Sequence, residues 1–268
     1  MALPYIVQTM QKGGAVVLLQ EVLTRKRTTV RVRRELRQTF PKYKCYIAGS
    51  HVDVGNDEND RTPTEEYERS KARITAVTFL QKRVFQTNAL VRTWHNPRDI
   101  SALEHMAQGR VLWRKAKTHD NHDVSISTVN LHQATAKRHD LQRQVTYLLR
   151  AMIDAALTQR RIMGGDFNAA LSRYGYAQST SALYDKVDKF FQDFVHSTHG
   201  TLIESEAHTR RDLLRGSSAS LDHIITWNLP CTNTCTMQSS TSKVHSVGAE
   251  CNDPALISCT VCGDLLTY

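Results

Sequence analysis

The chain has 268 residues, 40% of them hydrophobic and 23% charged, a balance that excludes wholesale disorder and sets one large domain or two small ones. No 18 apolar residues run together without charge, which excludes a membrane-spanning helix. The start Met-Ala-Leu-Pro-Tyr has no basic n-region, so the expectation is an intracellular chain, nuclear or cytoplasmic. A net charge of +9 points to a polyanionic partner, nucleic acid first, and to no membrane.

In chain order, residues 3–11 read as a short helix broken at Gly13-Gly14. Ala15 to Leu19 is a compact buried strand that ends at Gln20-Glu21. Residues 27–38 read as a helix and 43–48 as a strand. The polar stretch 51–71 is a surface loop; its Gly55-Asn56-Asp57-Glu58-Asn59-Asp60 lacks a recognisable calcium-loop pattern. Residues 74–80 and 89–94 read as a hairpin, and Pro97 to Ile100 as the start of a short helix. Val124 to Leu131 is a strand, with Val124, Ile126 and Thr128 on one face. Leu141, Val145, Leu148, Met152 and Ala156 recur at helical spacing. Residues 162–166 form a strand. Leu183, Val187, Phe190 and Phe194 mark a helix closed by Gly200. Residues 221–227 and 255–261 are the last strands. Short strands with a few long helices indicate an α+β layered sandwich, a single domain over 1–268.

Charge and cysteine are unevenly spread. From Gly216 onward one cation, Lys243, faces four acids, which leaves +12 on the first 215 residues. Arg25, Lys26, Arg27, Arg31, Arg33, Arg34 and Arg37 sit in one run with Glu35. Such a run is a solvated helix face or a phosphate-backbone surface. Cys231, Cys235, Cys251, Cys259 and Cys262 crowd the tail. Their spacing resembles a zinc ribbon, but neither loop carries a Gly-rich knuckle. The tail must also supply a strand, so zinc is not expected there.

Carboxylates at strand ends need a reason, because burying an unpaired charge is costly. Glu21 follows one strand, Gly164-Gly165-Asp166-Phe167-Asn168 ends a second, and Ser220-Leu221-Asp222-His223-Ile224 opens a third. Asn130-Leu131-His132 ends a fourth. By alternation Asp166 and Asn168 face one side while Phe167 enters the core, and Asn130 pairs in parity with His132. Asp222 faces the same site; His223 falls on the other face with Leu221, Ile225 and Trp227.

Leu18-Leu19-Gln20-Glu21, Asn130-Leu131-His132, Gly165-Asp166-Phe167-Asn168 and Ser220-Leu221-Asp222-His223-Ile224, in this order, resemble the endonuclease/exonuclease/phosphatase superfamily. The resemblance covers residues 15–258 and is nearest in flavour to LINE-type retrotransposon endonucleases. Arg138, Leu141, Gln144 and Leu148 are also similar to the family's helix. The resemblance implies a four-layer α/β sandwich, DNase I-like, of two mixed sheets flanked by helices. It implies cleavage of a phosphodiester with Mg²⁺ or Mn²⁺, on DNA rather than RNA. By motif, Glu21 ligates the metal and Asp166 orients or deprotonates the attacking water. Asn168 hydrogen-bonds the phosphate and holds that geometry. His132 stabilises the phosphate oxygens, Asp222 orients a last-strand histidine, and Asn130, Arg25, Arg27, Arg31 and Arg34 are the candidate phosphate and nucleic-acid contacts.

Two departures stand against full activity. The family's last strand opens with Ser-Asp-His-x-Pro, where this chain reads Glu250-Cys251-Asn252-Asp253-Pro254. Asn252 then occupies the histidine's place, and an amide cannot act as a base near neutral pH. Residues 1–20 contain no Asn and no Asp, so the family's opening strand with its Asn metal ligand has no counterpart, as in a truncated gene model or a decayed element. The expectation is a nuclease of weakened or lost activity. The alternatives are a silent nucleic-acid-binding member of the fold and a small-molecule or lipid phosphatase.

Overall fold

The structure is a computed structural model that describes residues 10, 14–23, 29–50, 73–86, 110–131, 139–154, 159–170, 173–174, 178–203, 210–212, 217–219, 221–229, 231–238 and 256–261. In chain order the elements are β1 (Val16–Leu23), α1 (Thr29–Thr39), β2 (Tyr43–Ser50), β3 (Arg73–Gln81), β4 (Val111–Lys117), β5 (Asp123–Asn130), α2 (His139–Asp154) and β6 (Arg160–Asp166). They continue with β7 (Arg173–Tyr174), α3 (Gln178–Ser197), β8 (Thr201–Ile203), β9 (Arg210–Asp212), β10 (Ser217–Ala219), β11 (Asp222–Trp227), β12 (Cys231–Gln238) and β13 (Leu256–Val261).

Two sheets carry the architecture. The first has the order β1-β3-β2 and is antiparallel throughout. The second, β4-β5-β6-β11-β8, is mixed: β5 and β6 run parallel, joined by α2, and the other pairs are antiparallel. A parallel pair needs such a crossover, and the helix it carries covers the sheet's outer face. The minor ladders are β7-β10-β9 and β12-β13.

Three apolar layers separate four structural ones. Leu36 of α1 and Phe40 pack with Val17, Val77 and Phe79 on the outer face of the first sheet. Leu80, Ala116, Val124 and Ile126, with Leu18 and Ile162 beside them, fill the space between the sheets. Val145, Leu149 and Ile153 of α2 and Val187, Phe191 and Phe194 of α3 cover the second sheet's other face. In the inter-sheet layer the hydroxyls of Thr78 and Thr128 bond at 2.6 Å, so each satisfies the other where water is absent. Val124, Ile126 and Thr128 share that inward face as their alternation predicts, and from Val124 onward β5 is buried on both faces. Among the described residues no helix is long and apolar enough to cross a membrane.

Several expectations change. β3 lies between β1 and β2 along its length, so no edge remains for a hairpin with 89–94, a stretch outside the described residues. The helix that Gly200 was expected to close ends through His199, which takes the left-handed conformation at φ 54°, while Gly200 N donates to Val195 O at 3.0 Å. Gly200 also serves packing: a Cβ there would stand 2.7 Å from Ile225 Cγ2. Cys231 and Cys235 lie in β12 and Cys259 in β13, with Cys235 opposite Cys259, so they occupy paired strands and not knuckle loops. The calcium-loop stretch, the 97–100 helix start and residues 3–9 fall outside the described residues.

Candidate active site

Polar side chains line up in a row across three neighbouring strands of the second sheet. Asn130 at the end of β5 pairs with Asp166 at the end of β6, and Asp166 pairs with Asp222 at the start of β11. Directly opposed residues present their side chains on one face. Here that face is the one turned toward the first sheet, because Ile126 and Ile162 of the same parity lie in the inter-sheet layer. Asn130 is buried; Asp166 and Asp222 are half-buried.

The first sheet meets this row through β1. A Cβ built on Gly164 would fall 2.8 Å from Leu18 Cδ1, and one on Gly165 would fall 2.9 Å from Gln20 Nε2. Leu18 and Gln20 therefore face the glycine pair that precedes Asp166. Glu21 follows Gln20 at the same end of β1, and its side chain lies outside the described residues. Gly165 has φ 141°, and a Cβ there would also stand 1.9 Å from Val129 O. No other residue type fits so close an approach of β6 to β5.

The turn after β6 is held at nearly every polar atom. Asp166 Oδ1 accepts the Asn168 backbone N–H at 2.7 Å, and Oδ2 accepts the Asn168 side-chain amide at 3.1 Å. The same amide donates to Leu131 O at 2.6 Å, and Leu131 N donates to Asp166 O at 2.8 Å. Phe167 N donates to Leu221 O at 2.9 Å, Gln142 Nε2 donates to Phe167 O at 2.9 Å, and Ala170 N donates to Asp188 Oδ1 at 2.7 Å. Phe167 is 2% exposed and lies 5.0 Å from the ring of Phe191.

Asn168 does reach Asp166, but by a different route from strand alternation. β6 ends at Asp166, and Asn168 sits in the left-handed region at φ 51°, a conformation that asparagine tolerates. Its side-chain amide donates to Leu131 O and to Asp166 Oδ2, so Asn168 helps hold the Asp166 carboxylate in place. His223 lies on the far face as alternation predicts, 3% exposed. It stacks on Phe191 at 4.7 Å, with Nε2 2.8 Å from Ala169 O. A carbonyl only accepts, so Nε2 carries a proton there, and the ring is held on the face away from Asp166 and Asp222.

Other expected residues fall elsewhere. Arg34 is exposed on α1, the helix on the outer face of the first sheet, and Arg31 lies on the same helix. Arg25, Arg27, His132 and Asn252 are outside the described residues. Gln144 is exposed on α2, whereas Gln142, two residues earlier, is the buried amide that grips the turn. Nothing in the sequence singled out Gln142, Asp188 or Gln20 as supports, although Gln20 stands in the Gln-Glu motif.

Asn130 Oδ1 also accepts Arg110 Nη1 at 3.4 Å. The row is made of oxygen donors alone, which suits a hard divalent cation. Two carboxylates directly opposed across a ladder also repel unless a cation or proton stands between them. Among the described residues no three His, Cys, Asp or Glu are gathered as a metal cluster.

No family model matches the chain, and no curated protein matches it. Solved structures do match. An endonuclease/exonuclease/phosphatase from Beutenbergia cavernae superposes with a TM-score of 0.59 at 12% identity over 96% of this chain and 66% of that one. The human Nocturnin catalytic domain with bound sulfate anion gives 0.54 at 12% identity, covering 96% and 85%. The Xenopus laevis APE2 catalytic domain gives 0.53 at 14%, covering 96% and 87%. The chain has the endonuclease/exonuclease/phosphatase fold. In that fold the four motifs of the sequence lie on β1, at the end of β5, at the end of β6 and at the start of β11. The described parts of all four meet at one end of the sandwich.

Proposed function

We propose that the chain is a phosphodiester hydrolase of the endonuclease/exonuclease/phosphatase type, acting on DNA as retroelement endonucleases do, with turnover reduced by Asn252. The observation that supports this reading is the row Asn130–Asp166–Asp222 with Gln20 of the opposite sheet against its base. Glu21 would hold Mg²⁺ or Mn²⁺. The bound ion supplies positive charge against the phosphate as negative charge develops. Asp166 takes the proton of the attacking water. Asn168 fixes the direction of that carboxylate, and His132 and Asn130 would stabilise the phosphate oxygens.

Loss of one proton-transfer group lowers a rate by about 10²–10⁴. That cost at position 252 favours a second reading, a silent member of the fold that binds nucleic acid through its basic surface. Nicking of supercoiled plasmid separates the two. The hydrolase reading expects slow nicking that needs Mg²⁺ or Mn²⁺ and disappears in Glu21→Ala and in Asp166→Ala. No nicking with any divalent cation, alongside retained DNA binding, would leave only the second.

A further inference from the structure

At the end of the sandwich opposite the site, three turns are tied together by backbone bonds. Lys82 N donates to Lys42 O at 2.9 Å, His119 N to Val84 O at 3.1 Å, and Gln86 N to Lys117 O at 2.8 Å. The knot gathers cations from three separate stretches: Lys42 and Lys44 where β2 starts, Lys82 and Arg83 after β3, and Arg114, Lys115 and Lys117 on β4. The acids in these stretches are Asp120 and Asp123, and Asp123 Oδ2 lies 3.3 Å from Lys115 Nζ.

Between β2 and β4, each the edge of its own sheet among the described residues, a recess is lined by Lys44, Lys82, Lys115, Tyr46 and Phe85. Lys44 Nζ stands 5.4 Å and Arg114 Cζ 6.0 Å from the Tyr46 ring centre. The ring draws cations from both sheets to one place. Lysines on edge strands also prevent pairing with a second sheet. That role accounts for cations on β2 and β4. It does not account for Lys82 and Arg83, which lie on an exposed turn.

We infer that this distal end binds the backbone of a single-stranded nucleic acid, as a contact surface separate from the site. β5 spans the two ends in seven residue steps, about 23 Å. A stiff duplex seated at the site, with a persistence length of about 50 nm, does not bend round to the far end. A flexible strand can follow the β2–β4 edge from one end to the other, and a groove of cations beside aromatic rings suits such a strand. The choice of a phosphodiester chain rests on the proposed function; the surface does not depend on cleavage.

The test is fluorescence anisotropy with a labelled 30-nucleotide DNA strand in EDTA, where metal-dependent cleavage is absent. The variant is Lys44→Gln/Lys82→Gln/Arg83→Gln. The comparison is Arg150→Gln/Lys186→Gln/Lys189→Gln, which removes three exposed charges from the helical layer. The distal variant is expected to weaken binding at least ~10-fold at about 50 mM salt and to flatten the log–log salt slope by about 2. The helical variant is expected to do neither. Should the distal variant melt early, Lys42→Gln/Lys82→Gln/Lys117→Gln takes its place. Equal losses in the two triples, an unchanged slope, or a loss seen only with phosphatidylserine vesicles would each overturn the inference. Because binding is read without metal, failed nicking leaves it standing.

Discussion

Asn168 carries the most decidable prediction, because its contribution is built from counted bonds. Asn168→Ala removes the amide bond to Leu131 O at 2.6 Å and the one to Asp166 Oδ2 at 3.1 Å. A neutral bond contributes about 1 kcal/mol and one to a carboxylate about 1.5 kcal/mol at the lower end. Alanine at φ 51° adds about 1 kcal/mol of left-handed strain. The sum is about 3–4 kcal/mol, or roughly 10 °C in melting temperature for a chain of this size. Asn168→Gly loses the same bonds but not the strain. Its looser unfolded state returns about 0.4–1 kcal/mol of that relief, so it should unfold later than the alanine variant by several tenths of a kcal/mol. Urea unfolding of the two variants beside wild type measures both quantities. An alanine variant within about 1 kcal/mol of wild type, or a glycine variant less stable than alanine, would refute the reasoning.

Other predictions address pH and chemistry. The Tyr43 hydroxyl lies 3.0 Å from Met10 O and 2.9 Å from Gly14 O, and burial raises its pKa above the ordinary value of 10.0. The folded state therefore keeps its proton longer than the unfolded state. The stability this gives is complete below pH 10 and is lost as pH rises further. Tyr43→Phe should cost about 1 kcal/mol at pH 7, with the gap to wild type closing above pH 10; a constant gap in urea midpoints from pH 7 to 11 contradicts this. Cys251→Asp with Asn252→His should raise plasmid nicking, by up to about 10²–10⁴ if the missing proton-transfer group alone limits the rate. No increase in a folded double variant would show that the loss lies elsewhere.

Most of the sandwich was legible because burial leaves a period in the sequence. Val145 and Met152 of the helical repeat are buried against the second sheet with Leu148 packed beside them, and the alternation in β11 sorted Asp222 from His223. β4 escaped notice because Arg114, Lys115 and Lys117 interrupt its apolar run; as an edge strand it can carry cations that a central strand cannot. β7 to β10 are two or three residues long, too short for any period. The supports of the turn were hidden for a different reason. A buried Gln142 and an exposed Gln144 look alike in one dimension, and only the seating of α2 on Phe167 O tells them apart. Asp188 likewise reads as a solvated helix carboxylate until its bond to Ala170 N is seen.

The bonds that hold the Asp166 carboxylate also join strands. Asn168 ties the end of β6 to Leu131 beyond β5, and Leu131 ties back to Asp166. Gly165 permits the backbone approach on which both depend. A change at these positions is read first in unfolding, whereas a change confined to a proton-transfer group is read only in rate. Folding alone would therefore retain Gly-Asp-Phe-Asn in a chain that no longer turns over. The motif weighs equally for a working hydrolase and for a silent binder. The positions that divide the two are those where fold and chemistry part, with Asn252 first among them. Nicking measured with and without histidine there is worth more to the assignment than any further likeness in shape.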